Sequence, residues 1–235
     1  MTTAAVVPAA GRGERLGPGT PKALRLLGGV PLLVHAVHAL SAARSVDLVV
    51  VAAPADGVAQ VRALLADHDV GAEVTVVAGG TTRQESVRLA LAALPDAVDV
   101  VLVHDAARPL APVELVDRVA AAVRDGADAV VPGLPVADTI KRVDPTGRVE
   151  ETLDRSVLRA IQTPQGFRRP VLAAAHAGAD DSVSDLTDDA GLVERAGGTV
   201  VVVPGDEEAF KVTRPLDLLL AEAALARRRA LRSQP

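Results

Sequence analysis

Cysteine, tryptophan and tyrosine are absent from this 235-residue chain, and its only aromatic residues are Phe167 and Phe210. Without cysteine, the protein has no disulfide framework, no thiolate metal site and no thiol nucleophile. Single-stranded nucleic acid binds proteins largely by stacking its bases on aromatic side chains, and this chain has too few of them to build such a platform. The core must therefore be aliphatic.

Long apolar runs are also scarce, and the 30 acidic residues outnumber the 25 basic ones. The net charge is −5, which argues against nucleic-acid binding because that binding depends on a basic surface. No apolar run approaches the roughly 20 residues of a membrane span. The first residues, Met1-Thr2-Thr3, lack the basic and apolar segments of a secretory signal. We expect a soluble, cytoplasmic protein without nucleic-acid or membrane partners.

Apolar runs of strand length alternate with amphipathic segments of helix length. Strands are predicted at 4–8, 47–53, 74–78, 98–103 and 199–203, and helices at 31–43, 56–68, 82–94, 168–177, 185–196 and 215–229. Continuous valine and leucine runs are typical of strands buried on both faces, as in a parallel sheet. The pattern predicts an α/β fold with a doubly wound, mostly parallel sheet. An eight-fold barrel is the main alternative, and the irregular pattern after residue 130 argues against it.

Residues 136–159 interrupt the pattern with a polar, charged segment. Apolar and polar residues alternate from Ile140, a turn follows at Pro145-Thr146-Gly147, and Val149 begins a second run. This is typical of a β-hairpin. We predict one domain over 1–235 with 136–159 inserted as a projecting arm. An isolated hairpin is marginal in water, so the arm should dock on a second subunit in a twofold dimer.

The first predicted strand leads into a Gly-rich segment, residues 8–17, followed by Lys22. Such a turn exposes backbone N–H groups that can bind phosphates. The dinucleotide fingerprint fails because Leu16 replaces its third glycine, which excludes an NAD oxidoreductase. The P-loop pattern fails because no Gly-Lys-Ser/Thr occurs. What remains is a Gly-rich loop carrying Arg15 and Lys22, or a plain strand–helix turn with solvated charges.

Asp105 follows the fourth predicted strand, at the sheet edge where open α/β sheets bind ligands. A lone carboxylate there suits Mg²⁺, which takes one or two carboxylates plus substrate phosphates. Alternatively, Asp105 pairs with Arg108 or caps the next helix. His104 is interpreted as structural. Asp188 and Asp189 are interpreted as the first turn of a helix, where acids complement the helix dipole, rather than as metal ligands.

Six segments in chain order form a recognisable set: Pro8 to Arg15 with Pro21-Lys22, Val103 to Pro109, Asp138-Thr139, Asp154-Arg155, Thr163-Pro164-Gln165 and Phe210 to Thr213. Together they closely resemble the 2-C-methyl-D-erythritol 4-phosphate cytidylyltransferase family. The resemblance extends over about residues 4–222. It departs from the family pattern in two places: Ala23-Leu24 replaces a Gln-aromatic pair, and Thr81 stands where some members carry Asp.

The resemblance implies a Rossmann-like nucleotidyltransferase fold and transfer of a cytidylyl group from CTP to the methylerythritol phosphate, with release of pyrophosphate. It implies that Arg15 and Lys22 are catalytic cations and that Asp105 holds Mg²⁺. Catalytic roles in gripping the polyol phosphate would fall to Arg155 and Lys211. Nucleotide contacts are implied for Pro8, Ala9, Ala10, Gly11, Gly13, Gly80, Thr81, Arg83, Ser86 and Ala106, and polyol phosphate contacts for Arg108, Thr139, Arg155, Thr163 and Lys211.

The resemblance also implies a homodimer in which the arm delivers Thr139 and Arg155 to the neighbouring subunit, while Lys22, Asp105 and Lys211 act in their own subunit. Three other functions stay open at this stage. A cytidylyltransferase for ribitol 5-phosphate or another polyol phosphate would share the chemistry. The arm and the segment 105–108 argue against a molybdopterin nucleotidyltransferase. A non-catalytic nucleotide sensor would be expected to have lost one of the charged residues.

Overall fold

A computed structural model describes residues 1–11, 21–71, 73–179 and 188–232 of the chain. The strands are β1 (Thr2–Pro8), β2 (Leu26–Leu27), β3 (Val30–Pro31), β4 (Leu48–Ala53), β5 (Glu73–Ala78), β6 (Val98–Val103), β7 (Ala129–Pro135), β8 (Lys141–Val143), β9 (Val149–Thr152), β10 (Arg159–Ile161), β11 (Gln165–Arg168) and β12 (Val200–Pro204). The α-helices are α1 (Leu32–Ser41), α2 (Val58–Asp67), α3 (Arg83–Ala92), α4 (Val113–Arg124), α5 (Arg169–Ala177), α6 (Asp189–Arg195) and α7 (Pro215–Arg232). Short 3-10 helices lie at Lys22–Leu24, Arg155–Val157 and Glu207–Ala209.

The central sheet has eight strands in the order β10-β7-β11-β6-β1-β4-β5, with β12 also pairing with β7. β1 pairs in parallel with β4 and β6, β4 with β5, and β12 with β7. β11 runs antiparallel between β6 and β7, and β10 is antiparallel to β7. The predicted mostly parallel sheet is confirmed. The sheet is open, so the barrel alternative is wrong.

Helices cover both faces of this sheet, and β1 shows why its sequence is apolar throughout. Ala5 and Val7 belong to one buried cluster, which includes residues of α1, α2 and α4. Ala4 and Val6 belong to a second cluster, which includes residues of α3, α5 and α6. Because successive side chains of a strand point to opposite faces, burial on both faces leaves no polar alternation. The sheet is therefore doubly wound, as predicted.

The sequence pattern missed four elements of this sheet and its cover. The helix α4 and the strands β7, β10 and β11 were not predicted. β7 contains Pro132 and Pro135, which are unusual within a sheet. The remaining predicted elements of the sheet and its helices are confirmed within a few residues at their ends. The predicted helix 185–196 is described from Asp189 onward, and its first positions lie outside the described residues.

The predicted hairpin is confirmed as β8 and β9, which pair antiparallel with Lys141 opposite Thr152. In the turn, the Asp144 carboxylate accepts hydrogen bonds from the backbone N–H groups of Thr146 and Arg148, at 2.8 and 3.0 Å. Gly147 follows with φ +86°, a conformation that favours glycine. Every residue of β8 and β9 is exposed. Across the described ranges, every helix is too short or too polar to traverse a bilayer.

Candidate active site

A cavity of about 210 Å³ opens where β1, β5 and β6 end. The carboxyl ends of neighbouring parallel strands meet at one edge of a sheet, which explains why these loops converge there. The first loop, the loop after β5 and the segment after β6 all contribute walls, as does Lys211 from the segment before α7. The lining residues are Pro8, Ala9, Ala10, Gly11, Lys22, Ala23, Gly80, Thr81, Thr82, Arg83, Ser86, Asp105, Ala106, Ala107 and Lys211.

Two glycines let the walls approach each other closely. A Cβ at Gly79 would lie 2.8 Å from the Cβ of Ala10 and 3.0 Å from the Oγ of Ser86. A Cβ at Gly80 would lie 2.2 Å from the side chain of Glu85. Both positions therefore exclude larger residues on steric grounds. The loop after β5 packs directly against the first loop for this reason.

The start of α3 forms one wall of the cavity. Thr82 is the N-cap, and its hydroxyl accepts a hydrogen bond from the Glu85 backbone N–H at 3.0 Å. The Glu85 carboxylate in turn accepts hydrogen bonds from the N–H and the hydroxyl of Thr81, at 2.6 and 2.9 Å. The Ser86 hydroxyl donates to the Thr82 carbonyl at 2.8 Å and accepts from the Gly80 N–H at 3.1 Å. These bonds hold the loop and the positive end of the helix dipole against the cavity.

Asp105 is the negative centre of the cavity wall and collects three cations. Its Oδ2 lies 2.7 Å from Lys211 Nζ and 3.8 Å from Arg108 Nε, and its Oδ1 lies 3.4 Å from Arg83 Nε. Burial opposes ionisation of this carboxyl, but the charges of Arg83 and Lys211 outweigh it and hold its pKa well below the usual range. Asp105 is therefore ionised, and it does not cap the next helix, since α4 begins after Pro112.

His104 fixes the backbone of Asp105 from behind. His104 Nε2 lies 3.1 Å from the Arg108 carbonyl, which only accepts, so Nε2 carries the proton. The Thr163 hydroxyl therefore donates to Nδ1 at 3.1 Å, and it accepts from the Asp105 N–H at 3.0 Å. Burial lowers the pKa of His104 to about 4. The imidazole is neutral at pH 7 with both nitrogens engaged, in line with the structural role predicted for it.

Two buried residues behind Arg83 were missed by the sequence pattern. The Arg83 Nη1 lies 2.6 Å from Asp189 Oδ2, and Asp189 Oδ1 accepts from His176 Nε2 at 2.9 Å. Asp188 is the N-cap of α6 and Asp189 its first residue, so the prediction that both begin a helix is confirmed. Burial opposes the charge on Arg83, but Asp189 and Asp105 outweigh it and raise the pKa of the guanidinium.

Two predicted substrate contacts lie behind the cavity rather than in its wall. Thr163 is 4% exposed, and its hydroxyl is taken up by His104 and Asp105. The Arg108 guanidinium donates to the carbonyls of Ala209 and Ile161, at 2.6 and 3.3 Å. Neither residue is among those that line the cavity. Both support the segment after β6 and its surroundings.

Other predicted site residues are not brought to the cavity by this chain. Thr139 and Arg155 lie in the arm, and the Arg155 guanidinium donates to the Ala137 carbonyl. Arg155 lines a separate depression of about 510 Å³ at the base of the arm. The predicted residues Gly13 and Arg15 lie outside the described residues.

The donor set at the cavity suits a metal site with one protein carboxylate. Within the described ranges, His, Asp and Glu side chains form no cluster of three or more that could hold a metal ion. Mg²⁺ is often bound by one or two carboxylates while substrate phosphates and waters supply its other ligands. Asp105 is ionised and lines the cavity. The residues present therefore fit Mg²⁺ bound together with a phosphorylated substrate.

Comparisons with known proteins agree over nearly the full chain. The family model described as IspD, 2-C-methyl-D-erythritol 4-phosphate cytidylyltransferase, matches residues 3–227. A protein of that name from Streptomyces avermitilis is 61% identical over 235 residues, covering 97% of this chain and 93% of the relative. Another, from Frankia casuarinae, is 62% identical over 224 residues, covering 95% and 81%.

Solved structures show the same likeness. The crystal structure of 2-C-methyl-D-erythritol 4-phosphate cytidylyltransferase from Thermus thermophilus matches with a TM-score of 0.75 at 37% identity, covering 97% of this chain and all of that one (100%). The structure of 4-diphosphocytidyl-2C-methyl-D-erythritol synthase from Anaerococcus prevotii matches with a TM-score of 0.83 at 29% identity, covering 96% of both chains.

Proposed function

The chain belongs to the 2-C-methyl-D-erythritol 4-phosphate cytidylyltransferase family and is a nucleotidyltransferase, and we propose that the cavity lined by Asp105 and Lys211 is its active site. The protein transfers a cytidylyl group from CTP to 2-C-methyl-D-erythritol 4-phosphate in isoprenoid precursor biosynthesis. One observation carries the assignment of the site. A buried, ionised carboxylate holds Lys211 and Arg83 at the point where the Gly-rich first loop meets the start of α3.

The reaction needs no general base from the protein. A phosphate oxygen of the polyol phosphate attacks the α-phosphorus of CTP, a new P–O bond forms, and the bond to the β-phosphate oxygen breaks as pyrophosphate leaves. The nucleophile is already an anion. His104, the titratable base next to Asp105, is neutral and has both ring nitrogens engaged. This arrangement fits a reaction in which no proton is removed from the nucleophile.

Fixed cations would supply the stabilisation. Negative charge builds on the non-bridging oxygens of the α-phosphate, and preorganised cations in a partly buried cleft stabilise that charge most. Lys22 and Lys211 line the cavity, and Arg15 is proposed with them from the family resemblance. The contact between Lys211 and Asp105 places the ammonium at the cavity wall before substrate arrives.

Nucleotide contacts are proposed from the loops around the cavity. The start of α3 presents backbone N–H groups, which bind phosphates and other acceptors well. Gly13 is proposed from the resemblance alone. The residues that are both predicted nucleotide contacts and lining residues are Pro8, Ala9, Ala10, Gly11, Gly80, Thr81, Arg83, Ser86 and Ala106.

Mg²⁺ is proposed as the metal, with Asp105 as its protein ligand. When bound, the ion would act as a Lewis acid and would orient the phosphates. The chain's own contribution is an ionised carboxylate fixed by the hydrogen bond from its backbone N–H to Thr163. Thr163 and Arg108 are proposed from the resemblance as contacts of the polyol phosphate, and both also support Asp105 from behind.

The arm supports the proposal of a homodimer with shared sites. Its hairpin is exposed along its whole length, and Arg155 lines a depression separate from the cavity. In the proposed dimer, the partner subunit's Arg155 and the partner subunit's Thr139 bind the polyol phosphate, while Lys22, Asp105 and Lys211 act in their own subunit. The single domain over 1–235 with the arm at 136–159 forms part of this proposal. The cytoplasmic location stays a prediction.

Pyrophosphate release with CTP and a panel of polyol phosphates tests the function. We expect the highest kcat/KM with 2-C-methyl-D-erythritol 4-phosphate, and we expect Lys211→Ala to reduce the rate. Arg168→Ala is the control, since this cation forms an exposed pair with Asp128 and lies outside both the cavity lining and the arm. A higher kcat/KM with ribitol 5-phosphate would contradict the substrate. CTP binding without pyrophosphate release would identify a nucleotide sensor.

A further inference from the structure

Arg83 is held from two sides by carboxylates. Its Nη1 lies 2.6 Å from Asp189 Oδ2, and its Nε lies 3.4 Å from Asp105 Oδ1. The contact with Asp189 is the shorter one and forms deeper in the protein, because the Asp189 side chain is 1% exposed and that of Asp105 is 11% exposed. The orientation of the guanidinium in the cavity wall therefore depends on a residue that lies outside the cavity.

Asp189 is itself firmly anchored. It begins α6, and the Gln165 side chain on β11 ties the start of this helix to the sheet. The Gln165 amide donates to Asp188 Oδ2 at 2.7 Å and accepts from the Ala190 N–H at 3.2 Å. Gln165 is 1% exposed. The Asp189 carboxylate is thus fixed relative to the central sheet.

His176 on α5 completes the arrangement. Its Nε2 donates to Asp189 Oδ1 at 2.9 Å, so each carboxylate oxygen of Asp189 has one donor. Burial opposes ionisation of Asp189, but the charge of Arg83 and the hydrogen bond from His176 outweigh it and lower the pKa of the carboxyl. An ionised carboxylate with both oxygens engaged has little freedom to rotate.

Neither Asp189 nor His176 belongs to the residues that line the cavity. Among the described residues, Arg83 is the cavity-lining side chain that Asp189 contacts. If the charge of Asp189 is removed, Asp105 is the carboxylate that still attracts the guanidinium. Coulomb attraction will then draw Arg83 towards Asp105 and away from its place in the nucleotide wall.

We propose that Asp189, oriented by His176, is a positioning residue that holds the Arg83 guanidinium in place for CTP. The inference rests on the proposed function of the cavity. It extends the site from the half-buried Arg83 through the buried side chains of Asp189 and His176, and the three residues come from three different helices.

A double-mutant cycle on the full-length protein tests the proposal. Asp189→Asn keeps the shape of the side chain and removes its charge. The asparagine amide can still bond His176, because His176 Nδ1 has no hydrogen-bond partner among the described residues and can take the ring proton. The measurements are the CTP dissociation constant by titration calorimetry, KM for both substrates, kcat, and the melting temperature.

We expect Asp189→Asn to raise the dissociation constant and the KM for CTP about tenfold, as a coupled charge pair would, and to change the KM of the polyol phosphate less than about twofold. In an Arg83→Ala background, we expect Asp189→Asn to have no further effect on CTP binding beyond about twofold. Asp128→Asn is the control, since it removes a carboxylate from an exposed pair with Arg168. It should leave every constant unchanged.

Equal losses of CTP affinity from Asp189→Asn with and without Arg83 would overturn the positioning role, because the effect would then not act through Arg83. Unchanged CTP affinity in Arg83→Ala alone would instead contradict the proposed function of the cavity. If Asp189→Asn does not fold, His176→Leu gives the same test, since it removes the donor to Asp189 and keeps an apolar side chain. If His176→Leu raises the CTP dissociation constant in the wild-type background but not in the Arg83→Ala background, the positioning role is supported. If it leaves the constant unchanged in the wild-type background, the role is overturned.

Discussion

The cavity and the arm are opposites in how their residues are held. Asp105 is 8% exposed and contacts Lys211, Arg83 and Arg108, while its backbone N–H is bonded to a buried threonine. In the arm, β8 and β9 are exposed at every position, and Val143 and Val149 are each 52% exposed. One region has its geometry fixed by the fold, and the other has apolar surface still uncovered.

This difference shows how the side chains in each part of the proposed active site are held in position. The nucleotide half is preorganised within one chain, because its charged groups hold one another in place. A two-stranded hairpin is marginally stable by itself, so the arm requires a surface to dock on. In the proposed dimer, residues carried by the arm would gain their final position when the arm docks on the partner subunit. The experiments below test the preorganisation of the cavity and the dependence of the arm on a second subunit.

The largest effect is expected from Lys22→Ala. A cation aimed at developing charge acts mainly in the transition state, so we expect kcat to fall roughly 10²–10³-fold with little change in the KM values. Arg155→Ala should instead raise the KM of the polyol phosphate and lower kcat through misalignment. Steady-state kinetics with both substrates separate the effect on kcat from that on KM, and Arg168→Ala, in an exposed pair with Asp128, is the control. A larger change in KM than in kcat for Lys22→Ala would contradict its assigned role.

Acid should destabilise the buried region behind the cavity, because His104 is buried there in its neutral form. The pKa of His104 is about 4 in the folded protein because burial disfavours the charged ring, against 6.5 in the unfolded chain. The unfolded state therefore binds the extra proton first, and stability is lost as pH falls from about 6.5 towards 4. The loss attributable to His104 should be about 2 kcal/mol between pH 7 and pH 4.5.

Urea unfolding of wild type and His104→Gln at both pH values measures this loss. The charged neighbours of His104 are Asp105 and Arg108, and they stay charged across this range. His35, whose pKa is also lowered by burial, contributes in the same direction in both proteins. We expect a smaller pH dependence in His104→Gln. Equal pH dependence in the two proteins would show that the imidazole is not buried in its neutral form.

Asp105→Asn tests the metal. The asparagine keeps the shape and loses the charge, so the Mg²⁺ concentration required for half-maximal activity should rise at least about tenfold. Titration of activity with Mg²⁺ at saturating CTP checks this. Asp206→Asn is a suitable control, because Asp206 lies in the loop before the 3-10 helix Glu207–Ala209 and does not line the cavity. An unchanged titration would remove Asp105 from the metal site.

Subunit complementation tests whether the arm of one subunit completes the cavity of the other. The activity regained is at most half of wild type per mixed dimer. Inactive Lys22→Ala and inactive Arg155→Ala are mixed under conditions that allow subunits to exchange. If sites are shared, each mixed dimer has one site with both defects and one with neither, so activity returns to about half of wild type per mixed dimer. A mixture shown to contain mixed dimers but still inactive would rule out sharing.

The sequence predicted those parts of the fold that depend on local patterns. Strand β6 was predicted with the same bounds that the structure shows, because an unbroken apolar run is a strong local signal. The helix α4 was missed although Val116, Val119 and Val123 repeat at helical spacing on its buried face, so a closer count of that period would have found it. Strand β7 was missed because it contains Pro132 and Pro135, and proline is unusual within a sheet.

The residues of the candidate site also differ in whether the sequence alone could predict them. Asp105 and the Gly-rich loop could be predicted because each follows a strand directly, at the edge where ligands bind. Asp189 could not, because the partner it serves, Arg83, lies 106 positions earlier in the chain and only the folded structure brings them together. Thr163 was predicted as a substrate contact and stays so as a prediction, whereas its hydrogen bonds to His104 and to the Asp105 N–H could be found only in the structure.

The central place of β1 has a consequence for how the chain folds. Ala4 of β1 pairs with Val101 of β6, a partner 97 positions further along the chain. A ribosome adds about 5–20 residues per second, so the strand waits roughly 5–20 s for this partner. During that time an apolar, β-branched segment has unpaired backbone groups, which is the condition for pairing between nascent chains. The unpaired edge of β1 is therefore a risk of aggregation during synthesis, before the sheet closes around it.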